Sequence, residues 1–76
     1  MKLSEIKIHQ SARIMQLFTP LLATKIRLLE MGFTPGTMVV MQKKAPLGDP
    51  IGIALRGYEL CISKRQASYI LVEVVK

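Results

Sequence analysis

The chain has 76 residues, half of them apolar, and a net charge of +6. That length allows one domain over residues 1–76, and a domain so small buries only roughly 60% of its unfolded surface, so its core is marginal. A single cysteine excludes an internal disulfide, and the longest apolar runs, such as Met38–Met41, fall far short of the ~18–20 residues of a membrane span. The opening MKLSEIKIHQSARIM carries charges throughout and lacks the apolar core of a signal peptide, so the expected protein is soluble and cytoplasmic.

Leu3–Ile6 reads as a short helical turn opened by Ser4. Ser11–Phe18 alternates as a first strand, with Ala12, Ile14 and Leu17 inward. Pro20–Met31 reads as the one inserted α-helix, with Thr19 as N-cap and Pro20 at the first helical position, where its missing N–H costs nothing. Leu22, Ile26, Leu29 and Phe33 fall on one helical stripe, and that stripe is expected to close over a sheet as a lid. Gly32 sits where a left-handed helix stop is wanted, and Pro35-Gly36 sets a tight turn.

Thr37–Lys44 is a second strand. Val39 and Met41 share one face, and Met38, Val40 and Gln42 share the other, so it reads as covered on both sides or curled within a barrel. Ala45–Pro50, APLGDP, is a projecting loop with Gly48 at the fourth place of its turn, since neither proline can donate to a ladder. Ile51–Arg56 is a third strand with Ile51, Ile53 and Leu55 on one face, and Gly52 on the other leaves room for a close neighbour or a bend. Gly57-Tyr58 is the expected hairpin turn, and Glu59–Ser63 the fourth strand. Ser63 caps a helical turn over Lys64–Ser68, and Tyr69–Val75 closes the chain as a strand. The expected fold is mainly β, a small antiparallel barrel of about five strands with one inserted helix. Gly32, Gly36, Gly48 and Gly57 serve turn geometry.

Catalytic chemistry has little to work with. His9 is the only histidine and Cys61 the only cysteine, whereas zinc needs three or four ligands. They read as an exposed loop residue and a small half-buried strand residue. Glu5, Glu30, Asp49, Glu59 and Glu73 do not pair locally. Gly52 and Gly57 match the glycine frame of a phosphate loop, but Tyr58-Glu59 follows where Lys and Ser/Thr are needed. An SH3-type proline-peptide groove is lined with aromatics, and this chain has no Trp. Met15, Met31, Met38 and Met41 could form a soft partner surface but read better as core filler. No enzyme, cofactor or metal site is expected.

The charge favours acidic partners, yet it is spread, with Lys43-Lys44 and Lys64-Arg65 the closest pairs. A solvated surface is the preferred reading over nucleic acid. Single-strand binders stack bases on exposed rings, and the aromatics here are Phe18, Phe33, Tyr58 and Tyr69.

Arg27–Gly36 (RLLEMGFTPG), Ala45–Pro50 (APLGDP) and Leu55–Leu60 (LRGYEL) closely resemble the FeoA family, as does the ending KRQASYILV over Lys64–Val72. The resemblance runs from about Ser11 to Val75. It implies an SH3-like barrel carrying the inserted helix and no catalysis of its own. It also implies a role in bacterial ferrous-iron uptake, through binding to the cytoplasmic, GTPase-containing part of the FeoB transporter. One departure is Lys7-Ile8-His9-Gln10, where members often carry a glycine. A related barrel ends the iron-dependent repressors, a weaker reading because no DNA-binding domain is attached.

The candidate contact surface is Phe33, Pro35, Leu47, Asp49 and Pro50, with Arg56 and Tyr58 beside them. Proline-fixed segments lose little entropy on binding, and Arg and Tyr are frequent anchors. A nucleic-acid barrel, a homo-oligomer and a direct iron binder are the alternatives. The last is weak with one His and one Cys.

Overall fold

Alternating side chains decide the sheet. The computed structural model describes residues 1–75. A 3-10 turn at Leu3–Glu5 precedes β1 (Ser11–Leu17), α1 (Leu22–Glu30), β2 (Met38–Lys44), β3 (Ile51–Leu55), β4 (Tyr58–Ile62), α2 (Lys64–Ala67) and β5 (Ile70–Val75). The five strands form one antiparallel sheet in the order β4-β3-β2-β1-β5. The expected inward positions of β1, Ala12, Ile14 and Leu17, are buried, and so are the faces shared by Val39 and Met41 on β2 and by Ile51, Ile53 and Leu55 on β3. β2 has one buried face only, since Met38 is exposed.

Two irregularities curl the sheet. The β1–β5 register shifts between Ile14 and Gln16, and the β2–β3 register between Met41 and Lys43. Met15 and Gln42 are therefore extra residues, and an extra residue bends a strand and increases its twist. β1 pairs with β2 over Ser11–Arg13 and with β5 along its length, so it bends between them. Leu3 and Ile6, both fully buried, complete the core from the N-terminal turn. Met1 and Lys2 pair outside β5, through Val72 N–H to Met1 O at 2.7 Å and a bridge from Lys2 to Leu71. Gly52 is packed close: a Cβ there would lie 2.8 Å from Lys43 Cγ, beneath the Lys43–Glu59 ion pair at 3.4 Å.

Several local expectations need correction. The first turn is not opened by Ser4; it follows Lys2, whose N–H donates to Glu5 Oε1 at 2.7 Å. The helix begins at Leu22, not Pro20. Thr19 Oγ1 accepts from Leu21 N–H at 3.2 Å, ahead of the helix, and no side chain caps α1. The hairpin turn is Arg56-Gly57, because Leu55 pairs with Tyr58. Both turn residues have positive φ, 47° and 86°, the type I′ signature whose twist matches that of the flanking strands. Cys61 is exposed rather than half-buried.

The largest correction concerns the helix face. Leu22 and Ile26 point to solvent, and Leu28 is the only fully buried residue of α1. The helix is fixed at its C-terminal end. Gly32, at φ 106°, donates to Leu29 O, and Phe33 N–H donates to Leu28 O, which is the two-bond Schellman stop. Phe33 then turns into the core and is fully buried. Burying such a ring is worth about 1.5–3 kcal/mol, enough to tether the helix end without a lid.

Candidate partner-binding surface

The expected contact residues divide between two ends of the sheet. At one end, the type I′ turn aims Arg56 back across the start of β2. Its Nη2 donates to Thr34 Oγ1 at 3.0 Å and Thr37 Oγ1 at 3.1 Å, and the two hydroxyls lie 2.7 Å apart. Tyr58, the first residue of β4, donates its hydroxyl proton to Met31 O at 2.8 Å. That carbonyl belongs to the end of α1, so Arg56 and Tyr58 latch the β3–β4 hairpin to the helix stop. Pro35 is exposed here and, with Gly36, Thr37, Met38 and Arg56, lines an open hollow of about 480 Å³.

At the other end lies the loop between β2 and β3. Gly48 N–H donates to Ala45 O at 2.7 Å, and Ala45 N–H to Pro50 O at 3.0 Å. Asp49 Oδ1 accepts from Lys64 N–H at 2.8 Å, which pins the loop to the first turn of α2. Ser63 Oγ caps the same turn, accepting from Gln66 N–H at 3.1 Å, as its place in the sequence predicts. Leu47 stands at the tip, 92% exposed, and Pro50 is exposed beside it.

The structure therefore brings Pro35, Arg56 and Tyr58 together, and Leu47, Asp49 and Pro50 together. It does not join the two groups, and Arg56 and Tyr58 are not beside the loop. β3 lies between them, and five residues of strand span about 17 Å. Phe33 leaves the candidate set, because a fully buried ring offers no surface.

Sequence reasoning missed a third region. Phe18 is 71% exposed, Leu21 59% and Leu22 70%, with Ile26 one turn further along α1. Helical period placed Leu22 and Ile26 inward. The available counter-signal was charge: no Asp or Glu occurs between Glu5 and Glu30, so this stretch lacks the acids expected of an ordinary solvated face. Phe18 also walls a groove of about 410 Å³ with Lys2, Ser68, Tyr69 and Leu71. Among the described residues no three His, Cys, Asp or Glu side chains come together as metal ligands. None of the helices described is long and apolar enough to cross a membrane.

Comparison with known proteins agrees with this architecture. The FeoA domain family model matches residues 1–74. The FeoA-like protein of Clostridium acetobutylicum is 36% identical, with all of this chain and 87% of that one covered and a TM-score of 0.91. The zinc complex of Stenotrophomonas maltophilia FeoA is 29% identical, covering 96% of this chain and 89% of that one, with a TM-score of 0.85. That protein is described as a prokaryotic SH3 domain protein and put forward as an activating factor of ferrous-iron transport. The repressor IdeR of T. acidophilum shares the fold alone, at 19% identity and a TM-score of 0.86 over 99% of this chain and 34% of the repressor. The curled sheet is thus SH3-like, and the chain belongs to the FeoA family.

Proposed function

We propose that the chain is a non-catalytic accessory protein of ferrous-iron uptake that works in the cytosol and binds the cytoplasmic, GTPase-containing part of a FeoB-type transporter. The family match over residues 1–74 carries this reading. The β2–β3 loop is the contact proposed for the transporter. Leu47 is held out to solvent by a segment with Pro46 and Pro50 on either side and Asp49 bonded to α2. A loop already fixed in this way loses little further freedom on binding.

The test is titration of the purified chain into the soluble cytoplasmic domain of the transporter, with and without guanine nucleotide, and into the full-length transporter in detergent. Saturable binding that survives moderate salt is expected. Leu47→Asp is expected to weaken it at least tenfold, about 1.4 kcal/mol, with an unchanged melting curve. Unchanged affinity for that variant removes the loop from the interface. Absence of binding to both forms of the transporter sinks the partner reading itself.

A further inference from the structure

The segment Phe18–Arg27 exposes more apolar surface than either group of expected contacts. Phe18, Leu21 and Leu22 follow one another closely in the chain, and Leu22 and Ile26, four apart, share a helix face. They form a ridge at the N-terminal end of α1, away from Leu28, the buried residue of the helix, with Phe18 N–H held on Tyr69 O at 2.6 Å. A soluble surface seldom leaves a contiguous group of this kind uncovered.

Charge says what covers it. Lys25 follows Leu21 and Leu22 by four and three residues on the helix, Lys2 lines the groove beside Phe18, and the first turn of α1 holds no acid, Glu30 lying at the other end of the helix. Among the described residues the only ion pair is Lys43–Glu59, so none of these cations is neutralised by a neighbour. A second copy of the chain would set like charges against like, each protomer carrying +6. Leu21 and Leu22 are also open to solvent over more than half of their surface. A bilayer boundary accepts a protruding Phe or Leu without a matching cavity, and an anionic one attracts the flanking lysines.

We propose that this ridge seats the protein on an anionic lipid surface. Phe18, Leu21 and Leu22 enter the boundary between headgroups and acyl chains, and Lys2 and Lys25 meet the phosphates. This docking does not depend on the transporter reading, and the Leu47 loop takes no part in it.

The experiment is flotation of the whole chain with vesicles of phosphatidylcholine alone or mixed equally with phosphatidylglycerol, at low and physiological salt. The chain has no tryptophan, so Phe18→Trp supplies a single indole reporter at the ridge. The protein is expected to float with the anionic vesicles and not the neutral ones, and Phe18→Trp emission to shift to the blue. Phe18→Ser with Leu22→Ser should cut partition by about tenfold or more with the melt preserved, since both side chains lie in solvent. Lys25→Glu should weaken flotation without touching the ridge, and Leu47→Ser should leave it as it was. A wild type that stays out of the anionic vesicles at low salt overturns the proposal. So does a double serine variant that floats unchanged. If the chain ignores vesicles while the same serine variants lose the transporter domain, the ridge serves a protein partner and the lipid docking is wrong.

Discussion

Gly32 is held by conformation and by space at once. Its φ of 106° suits no L side chain, and a Cβ would lie 3.0 Å from Leu55 Cδ1 and 3.1 Å from Tyr58 Oη. Gly32→Ala should therefore cost about 2–3 kcal/mol, read as a lower urea midpoint with unchanged slope. A loss below ~0.5 kcal/mol would mean that the helix stop is not left-handed. Arg56 separates two effects that usually travel together. Both Arg56→Ala and Arg56→Gly lose the bonds to Thr34 and Thr37, but only alanine still resists the left-handed turn. The glycine variant should be the more stable of the two by about 1 kcal/mol. Equal midpoints would place the cost in the hydrogen bonds alone. Tyr58→Phe deletes one bond to Met31 O, and at a half-exposed site that is worth about 0.5–1.5 kcal/mol.

Among the elements, strands were legible and the helix only half so. Period-two alternation put Val39 with Met41, and Ile51 with Ile53 and Leu55, on shared faces that are buried, because a strand in a one-sided sheet has a single way to bury them. The cap at Ser63 was legible because its chemistry is local. The position of α1 was legible as well, but not its face. Periodicity reports which residues are apolar together; it does not say whether their partner is the core or another surface. Leu28 lies off the stripe drawn through Leu22 and Ile26, and it is the residue the core takes. The hairpin turn lies one residue earlier than the sequence suggests, because arginine at positive φ is uncommon and Arg56 reads as strand. The grouping of contact residues failed for another reason: nearness in sequence around β3 hides a strand's length between its ends. Two substitutions measure the helix face directly. Leu28→Ala should cost about 2–5 kcal/mol and Ile26→Ala no more than ~0.5 kcal/mol in urea unfolding. Similar losses would mean that α1 packs in the phase its sequence first suggests.

At the scale of the molecule, stability is unevenly spread. The core joins five strands and the N-terminal turn, whereas the front half of α1 has no buried residue. Amide hydrogen exchange should follow that division. The β1–β5 and β2–β3 ladders should exchange slowest, near the global unfolding limit, and Lys25–Arg27 much faster although they are helical. Uniform protection across α1 would contradict an unpacked front half. The same helix is held unevenly along its length. It is clamped at Leu28–Phe33, whereas the chain ahead of it is held by Phe18 N–H on Tyr69 O at 2.6 Å, and its nine helical residues are about 13 Å long. A load on its tip reaches the clamp as a torque, and the clamp is braced by Tyr58 against Met31 and by Arg56 against Thr34. A load there is therefore shared between the strand that follows Tyr69 and the β3–β4 hairpin, and a probe placed at that turn is expected to sense contact made at the other end of the helix.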